Sequence, residues 1–237
     1  MSVILPMNDG STLPIKPSKI ICLGLNYLEH IQESPSLNIQ NLTDDIPTEP
    51  ILFPKMPNVL IGPEEHIILP AFIHAYNFDD LRTDYEGELA IIVKDRCKNL
   101  APQDAESHIL GYTCFNDVSQ RNLQRSDKSG WWRGKSMDTY GPIGPVVVTP
   151  EAIGDVQNLS IQTRLNGHIV QTSNTRHMIF KIPEIMAYVS RNFRLEAGDI
   201  ISTGTPSGVG PLQDGDLIEV EIEKIGTLSN SVLAEVD

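Results

Sequence analysis

Long apolar runs are missing from this 237-residue chain: none approaches the roughly 18–20 residues of a membrane span. The start, MSVILPMNDG, also lacks the basic residues and extended apolar stretch of a signal peptide, so the expected address is the cytoplasm, with no membrane partner. Cysteine is scarce. Cys22, Cys97 and Cys114 are odd in number and without CxxC spacing, which excludes a disulfide framework or a thiolate zinc site and leaves reduced, buried thiols. Positive charge is short as well. Eighteen basic against thirty-one acidic residues give a net charge of -13, which repels a phosphate backbone and excludes nucleic acid as a partner. An enzyme of anionic substrates with this balance needs a local positive centre, and a metal ion would supply one.

Hydrophobic residues at 40% and charged residues at 21% are the balance of an ordinary globular protein, and the length suits one domain spanning 1–237. No internal repeat, heptad or low-complexity tract suggests a solenoid or coiled coil. Short segments rich in Val, Ile and Leu alternate with Gly, Pro and Asn, the pattern of a strand-rich chain. Strands are predicted at 19–25, 89–93, 108–114, 146–149, 160–165, 200–203 and 217–222. One helix is predicted at 181–193, with Ile182, Ile185, Met186 and Val189 at helical spacing and Pro183 in the first turn. A helical turn is expected over 28–33, ended by Ser34-Pro35. Residues 34–50 lack periodicity and read as a long loop able to cover a site.

The most informative stretch is DYEGELAIIV (84–93). Glu86 and Glu88 are two apart, and on an extended backbone such side chains share a face, about 6–7 Å apart along the chain. Two such carboxylates repel unless solvent or a cation separates their charge. Hard oxygen donors with no Cys or His nearby favour Mg²⁺, Mn²⁺ or Ca²⁺ over zinc. Taken alone, the pair is better explained by an exposed strand face, since acidic residues are usually solvated. Asp117, in GYTCFNDVSQRNLQ (111–124), adds a third acid at the end of an apolar strand, where the alternative role is a helix N-cap. In WWRGKSMDTYGPIGP, Lys135 follows a glycine, but the first glycine of a phosphate-binding loop would fall at Ser129, so no nucleotide is implied. Lys135 is then either a surface lysine or a charge that stabilises an enolate. Trp131 and Trp132 stay unassigned between packing and a substrate mouth, and His66, His74, His108, His168 and His177 lack metal-ligand spacing.

Seven blocks in order, GLNYLEHIQE (24–33), PILFPKMPNVLIGP (50–63), DYEGELAIIV, GYTCFNDVSQRNLQ, GKSMDTYGPIGP (134–145), NGHIVQTSNTRHMIF (166–180) and GDIISTGTPSGVG (198–210), make the chain resemble the fumarylacetoacetate hydrolase superfamily, in particular its shorter members. The resemblance implies an α+β, strand-rich fold, a mixed β-sandwich roll of the fumarylacetoacetase C-terminal type, commonly a homodimer. It implies metal ligation by Glu86, Glu88 and Asp117, with Mg²⁺ first, Mn²⁺ next and Ca²⁺ as a further candidate. Lys135 matches the family's active-site lysine, Arg121 and Gln124 match substrate-contacting residues, and Thr205 matches the threonine of the substrate-carboxylate loop. His30 and Glu33 match a water-activating dyad, and their i, i+3 spacing places them on one helix face.

The implied activity is metal-dependent hydrolysis of a carbon–carbon bond in acylpyruvate-like 2,4-dioxo acids through a metal-bound enolate. A 2-hydroxyhepta-2,4-diene-1,7-dioate isomerase or decarboxylase, or an oxaloacetate decarboxylase or tautomerase, is the alternative, because the same enolate serves each. A non-enzymatic Ca²⁺-binding module is the alternative from another class. Lys135 and His30 count against it.

Overall fold

In the computed structural model, residues 3–37 and 46–236 are described. All seven predicted strands are present, and the larger of two main sheets runs in the order Ile51–Lys55, Ile20–Gly24, Ile200–Ser202, Gly87–Val93, Ile109–Asn116, Gly141–Val148, Leu60–Ile61. Two of its pairings are parallel, Ile20–Gly24 with Ile200–Ser202 and Gly141–Val148 with Leu60–Ile61, and the others are antiparallel. The second sheet has five strands, in the order His168–Asn174, Ser160–Leu165, Leu217–Ile222, Gly226–Ala234, Ile67–Leu69. This is the strand-rich α+β arrangement of mixed sheets that the sequence implied.

The Gly87–Val93 strand is buried along its whole length, which accounts for its near-continuous apolar run in place of alternation. Leu89, Ile91 and Val93 pack with Ile161, Val220, Ile222 and Leu228 of the five-stranded sheet and with the helix Ile182–Asn192. Ala90 and Ile92, on the opposite face, pack with Phe115 and with Val3, Leu5 and Ile15 of an N-terminal hairpin, Val3–Pro6 with Thr12–Ile15. Glu88 falls on the face of Ala90 and Ile92, so it enters the core on the hairpin side.

Two expectations require correction. The helix of the His30 segment spans Leu28–Leu37 and continues through Ser34-Pro35 instead of ending there. An interior proline costs a helix about 3 kcal/mol, and here the tertiary anchoring of His30 and Ile31, both buried, outweighs that local preference. The expected loop over 34–50 therefore gives up its first four residues to that helix. Residues 46–50 carry neither helix nor strand, and 38–45 lie outside the described residues. The helix predicted at 181–193 is found at Ile182–Asn192, its first turn closed by Glu184, whose carboxylate accepts the N–H of Lys181. Among the described residues no helix is long and apolar enough to cross a membrane.

Candidate active site

The chain changes sheets at Glu86. Thr83–Tyr85 belongs to a small three-stranded sheet with Ser119–Gln120 and Gly210–Pro211, whereas Gly87–Val93 belongs to the large one. Glu86 thus stands between two strands, not on one continuous strand face. Its N–H is donated to Asn116 Oδ1 at 2.9 Å. Asp117 follows the end of the neighbouring strand Ile109–Asn116, and its N–H is donated to Glu86 O at 2.9 Å. These local links bring one carboxylate oxygen from each of Glu86, Glu88 and Asp117 within 4.8 Å of one another, all three residues buried. Asp117 is not the helix N-cap: the helix Arg121–Ser126 is capped by Gln120, whose side chain accepts the N–H of Leu123.

Buried like charges this close require compensation, and two of the acids have it. Lys135 Nζ donates to Glu86 Oε2 at 2.7 Å and to Asp117 Oδ2 at 2.8 Å. Lys55 Nζ donates to Asp117 Oδ1 at 2.5 Å and to the carbonyl of Val118 at 3.0 Å. Arg121 reaches Glu86 Oε1 at 2.5 Å, Asp84 Oδ2 at 2.7 Å and Gln124 Oε1 at 2.8 Å. Burial alone would raise the Glu86 pKa, but Lys135 and Arg121 together hold it well below the usual carboxylate range. Likewise Asp117 and Glu86 overcome burial to raise the pKa of Lys135.

Glu88 is different. It accepts from Ser202 Oγ at 2.5 Å and from the N–H of Gly204 at 2.8 Å, while burial, Asp117 and Glu86 push its pKa well up. Three hard-oxygen donors converging with one acid under-compensated fit a hard divalent cation, whose charge relieves the repulsion that the protein leaves standing. Glu86, Glu88 and Asp117 are the residues that would hold it.

Glu86 and Glu88 form one wall of a pocket that Arg121, Gln124, Lys135, His30 and Thr205 also line, with Leu23, Leu25, Phe53 and Trp131 as its apolar side, and Asp117 lies behind that wall, bonded to Lys135. His30 projects from the helix Leu28–Leu37, its Nδ1 3.3 Å from Glu33 Oε2. Burial raises the Glu33 pKa, but His30 and the N–H of Gly208, 3.0 Å from Glu33 Oε2, bring it below the usual value. Trp131 packs edge-on against Phe53 with ring centroids 5.3 Å apart, and Lys135 Nζ lies 4.8 Å from the Phe53 centroid. The adjacent Trp132 is half exposed and lies outside this pocket.

Residues 19–233 match the family described as fumarylacetoacetate (FAA) hydrolase C-terminal. The chain belongs to this family. A mitochondrial oxaloacetate tautomerase, FAHD2A, of Bos taurus is 39% identical over 241 residues, covering 97% of this chain and 72% of its own. The crystal structure of a 5-carboxymethyl-2-hydroxymuconate delta-isomerase from Mycobacterium smegmatis superimposes with a TM-score of 0.81 at 36% identity, covering 96% of this chain and 87% of that one. Fumarylpyruvate hydrolase from Pseudomonas aeruginosa, in complex with Mn²⁺ and pyruvate, reaches a TM-score of 0.85 at 26% identity over 99% and 97% of the two chains. These relatives of the FAA hydrolase family are a hydrolase, an isomerase and a tautomerase, so this chain is an enzyme and the alternative of a purely structural Ca²⁺ module is dropped.

All nine residues singled out from the sequence, His30, Glu33, Glu86, Glu88, Asp117, Arg121, Gln124, Lys135 and Thr205, lie in or against this one pocket. Three others were missed. Lys55 and Asp84 sit inside blocks that mark the FAA hydrolase family, yet nothing in a lone lysine or aspartate signals burial. Both are buried, Lys55 against Asp117 and Asp84 between Arg82 and Arg121. Gln171 is the third, and its contacts are described below.

Proposed function

We propose that this enzyme uses a divalent cation, Mg²⁺ or Mn²⁺, held by Glu86, Glu88 and Asp117 to form the enolate of a small 2-oxo acid. The observation that carries this reading is the convergence of those three buried carboxylates within 4.8 Å, two of them, Glu86 and Glu88, lining a pocket that Lys135 and His30 also line. A bound cation would polarise the 2-oxo carbonyl and so acidify the neighbouring C–H. Glu33, held as a carboxylate, takes the Nδ1 proton side of the His30 ring and leaves Nε2 as the proton acceptor. Lys135 supplies positive charge beside the oxygen on which negative charge develops, and Gln124 offers an amide to the substrate's polar end.

Removing and replacing one proton at the carbon next to the oxo group is tautomerisation, and the relative named oxaloacetate tautomerase, at 39% identity over nearly the whole chain, favours that outcome with oxaloacetate as substrate. Carbon–carbon hydrolysis of a 2,4-dioxo acid is the second reading. It is favoured by the His30–Glu33 pair, which can equally draw a proton from water, and by the likeness to fumarylpyruvate hydrolase. The decisive experiment supplies the purified protein and Mn²⁺ with enol oxaloacetate, an acylpyruvate and a hydroxydienedioate, following enol absorbance and released pyruvate separately. Loss of oxaloacetate enol absorbance without new pyruvate is the expected result; stoichiometric pyruvate from the acylpyruvate would establish hydrolysis instead. No turnover of any of the three would remove the reading. A homodimer in the cytoplasm, built from one domain per chain, belongs to the same proposal and is checked by sedimentation of the pure protein.

A further inference from the structure

The break between strands at Glu86 leaves the peptide joining the two glutamates in need of hydrogen-bond partners, and Gln171 provides them from the other sheet. Gln171 lies on the strand His168–Asn174 and is 1% exposed. Its Oε1 accepts the N–H of Gly87 at 3.0 Å, and its Nε2 donates to Thr205 Oγ1 at 2.9 Å and to the carbonyl of Pro206 at 2.8 Å. Thr205 closes the ring by donating its hydroxyl proton to the carbonyl of Gly87 at 2.9 Å. Both polar atoms of the Gly87 residue are therefore held by a single side-chain network. Glycine is required there, because a Cβ would stand 2.2 Å from Thr163 Oγ1 and 3.3 Å from Gln171 Oε1.

From this geometry we infer that Gln171 is a positioning residue: it sets the direction in which Glu86 and Glu88 leave the backbone and, through Thr205, couples the metal-binding carboxylates to the loop that faces the substrate. A side chain beyond the pocket thereby links the five-stranded sheet to both halves of the site. The network also spends the one proton of Thr205 on Gly87, so a substrate carboxylate that takes the Thr205 proton must release the Gly87 carbonyl. Binding of substrate and binding of metal then act on each other through this ring.

The inference rests on the reading of Glu86, Glu88 and Asp117 as metal ligands, and the test separates the two. Gln171→Met preserves volume and removes every hydrogen bond; Gln171→Glu keeps the acceptor for Gly87 but cannot donate to Thr205 or Pro206 once ionised. Mn²⁺ affinity is read by electron paramagnetic resonance titration, and KM and kcat with the substrate proposed above, oxaloacetate, are read at saturating Mn²⁺. Loss of an outer contact that orients metal ligands weakens binding by about tenfold or more. Gln171→Met is expected to show about that loss together with a raised KM; Gln171→Glu is expected to raise KM with a smaller loss of Mn²⁺ affinity. If the native protein binds no Mn²⁺, the metal reading itself fails. If it binds Mn²⁺ and both variants bind it equally well with KM unchanged, only the role of Gln171 is overturned. Should the Met variant fail to fold, the Glu variant decides the matter by the same two readings.

Discussion

At the scale of single residues, the site trades stability for function. Glu88 is a buried acid whose charge the protein resists, so Glu88→Gln is expected to stabilise the metal-free enzyme by about 1 kcal/mol while lowering Mn²⁺ affinity by more than about 100-fold, a compromise common at functional sites. Thermal unfolding with chelator, beside a Mn²⁺ titration, measures both effects. Lys55 behaves oppositely. Lys55→Met would leave Asp117 Oδ1 buried without its cation, and breaking such a pair costs about 3 kcal/mol or more, read from the urea midpoint. The contrast between the two lysines is geometric: Lys55 is fixed to Asp117 and the carbonyl of Val118 and does not line the pocket, whereas Lys135 lines it and bonds Glu86 and Asp117.

At the scale of elements, turns and strand starts are pinned by a few side chains. Asp199 accepts the N–H groups of Ser18 at 3.0 Å, Lys19 at 3.2 Å and Glu196 at 2.8 Å, and so fastens the start of Ile20–Gly24 beside its parallel neighbour Ile200–Ser202. Burial works against the charge, but Lys19 and Ser18 prevail and hold the Asp199 pKa below its ordinary value of 3.8. A depressed acid contributes stability above its unfolded value and loses it as pH falls through the folded one. Asp199→Asn should therefore destabilise the protein at pH 7 and show a shallower loss below pH 3.8 than the native chain, in urea unfolding across the acid range. The loop after Thr205 has a comparable anchor in Gly208. Its φ is +98°, and an added Cβ would meet the carbonyl of Val170 at 2.1 Å. Gly208→Ala is expected to cost at least about 1–3 kcal/mol of stability and to lower turnover, since the same residue's N–H holds Glu33.

At the scale of the whole molecule, a cation held by one strand residue, Glu88, by Glu86 at the junction between sheets and by Asp117 just past the end of a neighbouring strand would bind the folded state alone. Mn²⁺ at about 100 times its dissociation constant should then add about 2.7 kcal/mol, or roughly 5–10 °C in Tm for a chain of this size; calorimetry with and without chelator checks it. An unchanged Tm would count against the metal centre. Much of this molecule was legible from residue order. The Val, Ile and Leu segments marked seven strands because burial on both faces, as along Gly87–Val93, writes apolar runs into the chain and burial on one face, as along Leu217–Ile222, writes alternation, and the ordered blocks marked the nine residues in or against the pocket. Other features were not legible, because they depend on partners far away in the chain. The short strand Ile51–Lys55 depends on its pairing with Ile20–Gly24, and the burial of its Lys55 on Asp117, 62 residues later. The persistence of the helix through Pro35 depends on how His30 and Ile31 are buried. Sequence alone determined which acids are available and that hard oxygen would be the donor; periodicity and side-chain chemistry are local properties. Only the tertiary structure decided that Glu86 stands at a change of sheet, that Lys55 and Lys135 divide the two oxygens of Asp117, and that Gln171 closes the ring behind the glutamates. Each of those is a distance between segments remote in sequence, and such distances exist only once the sheets have packed.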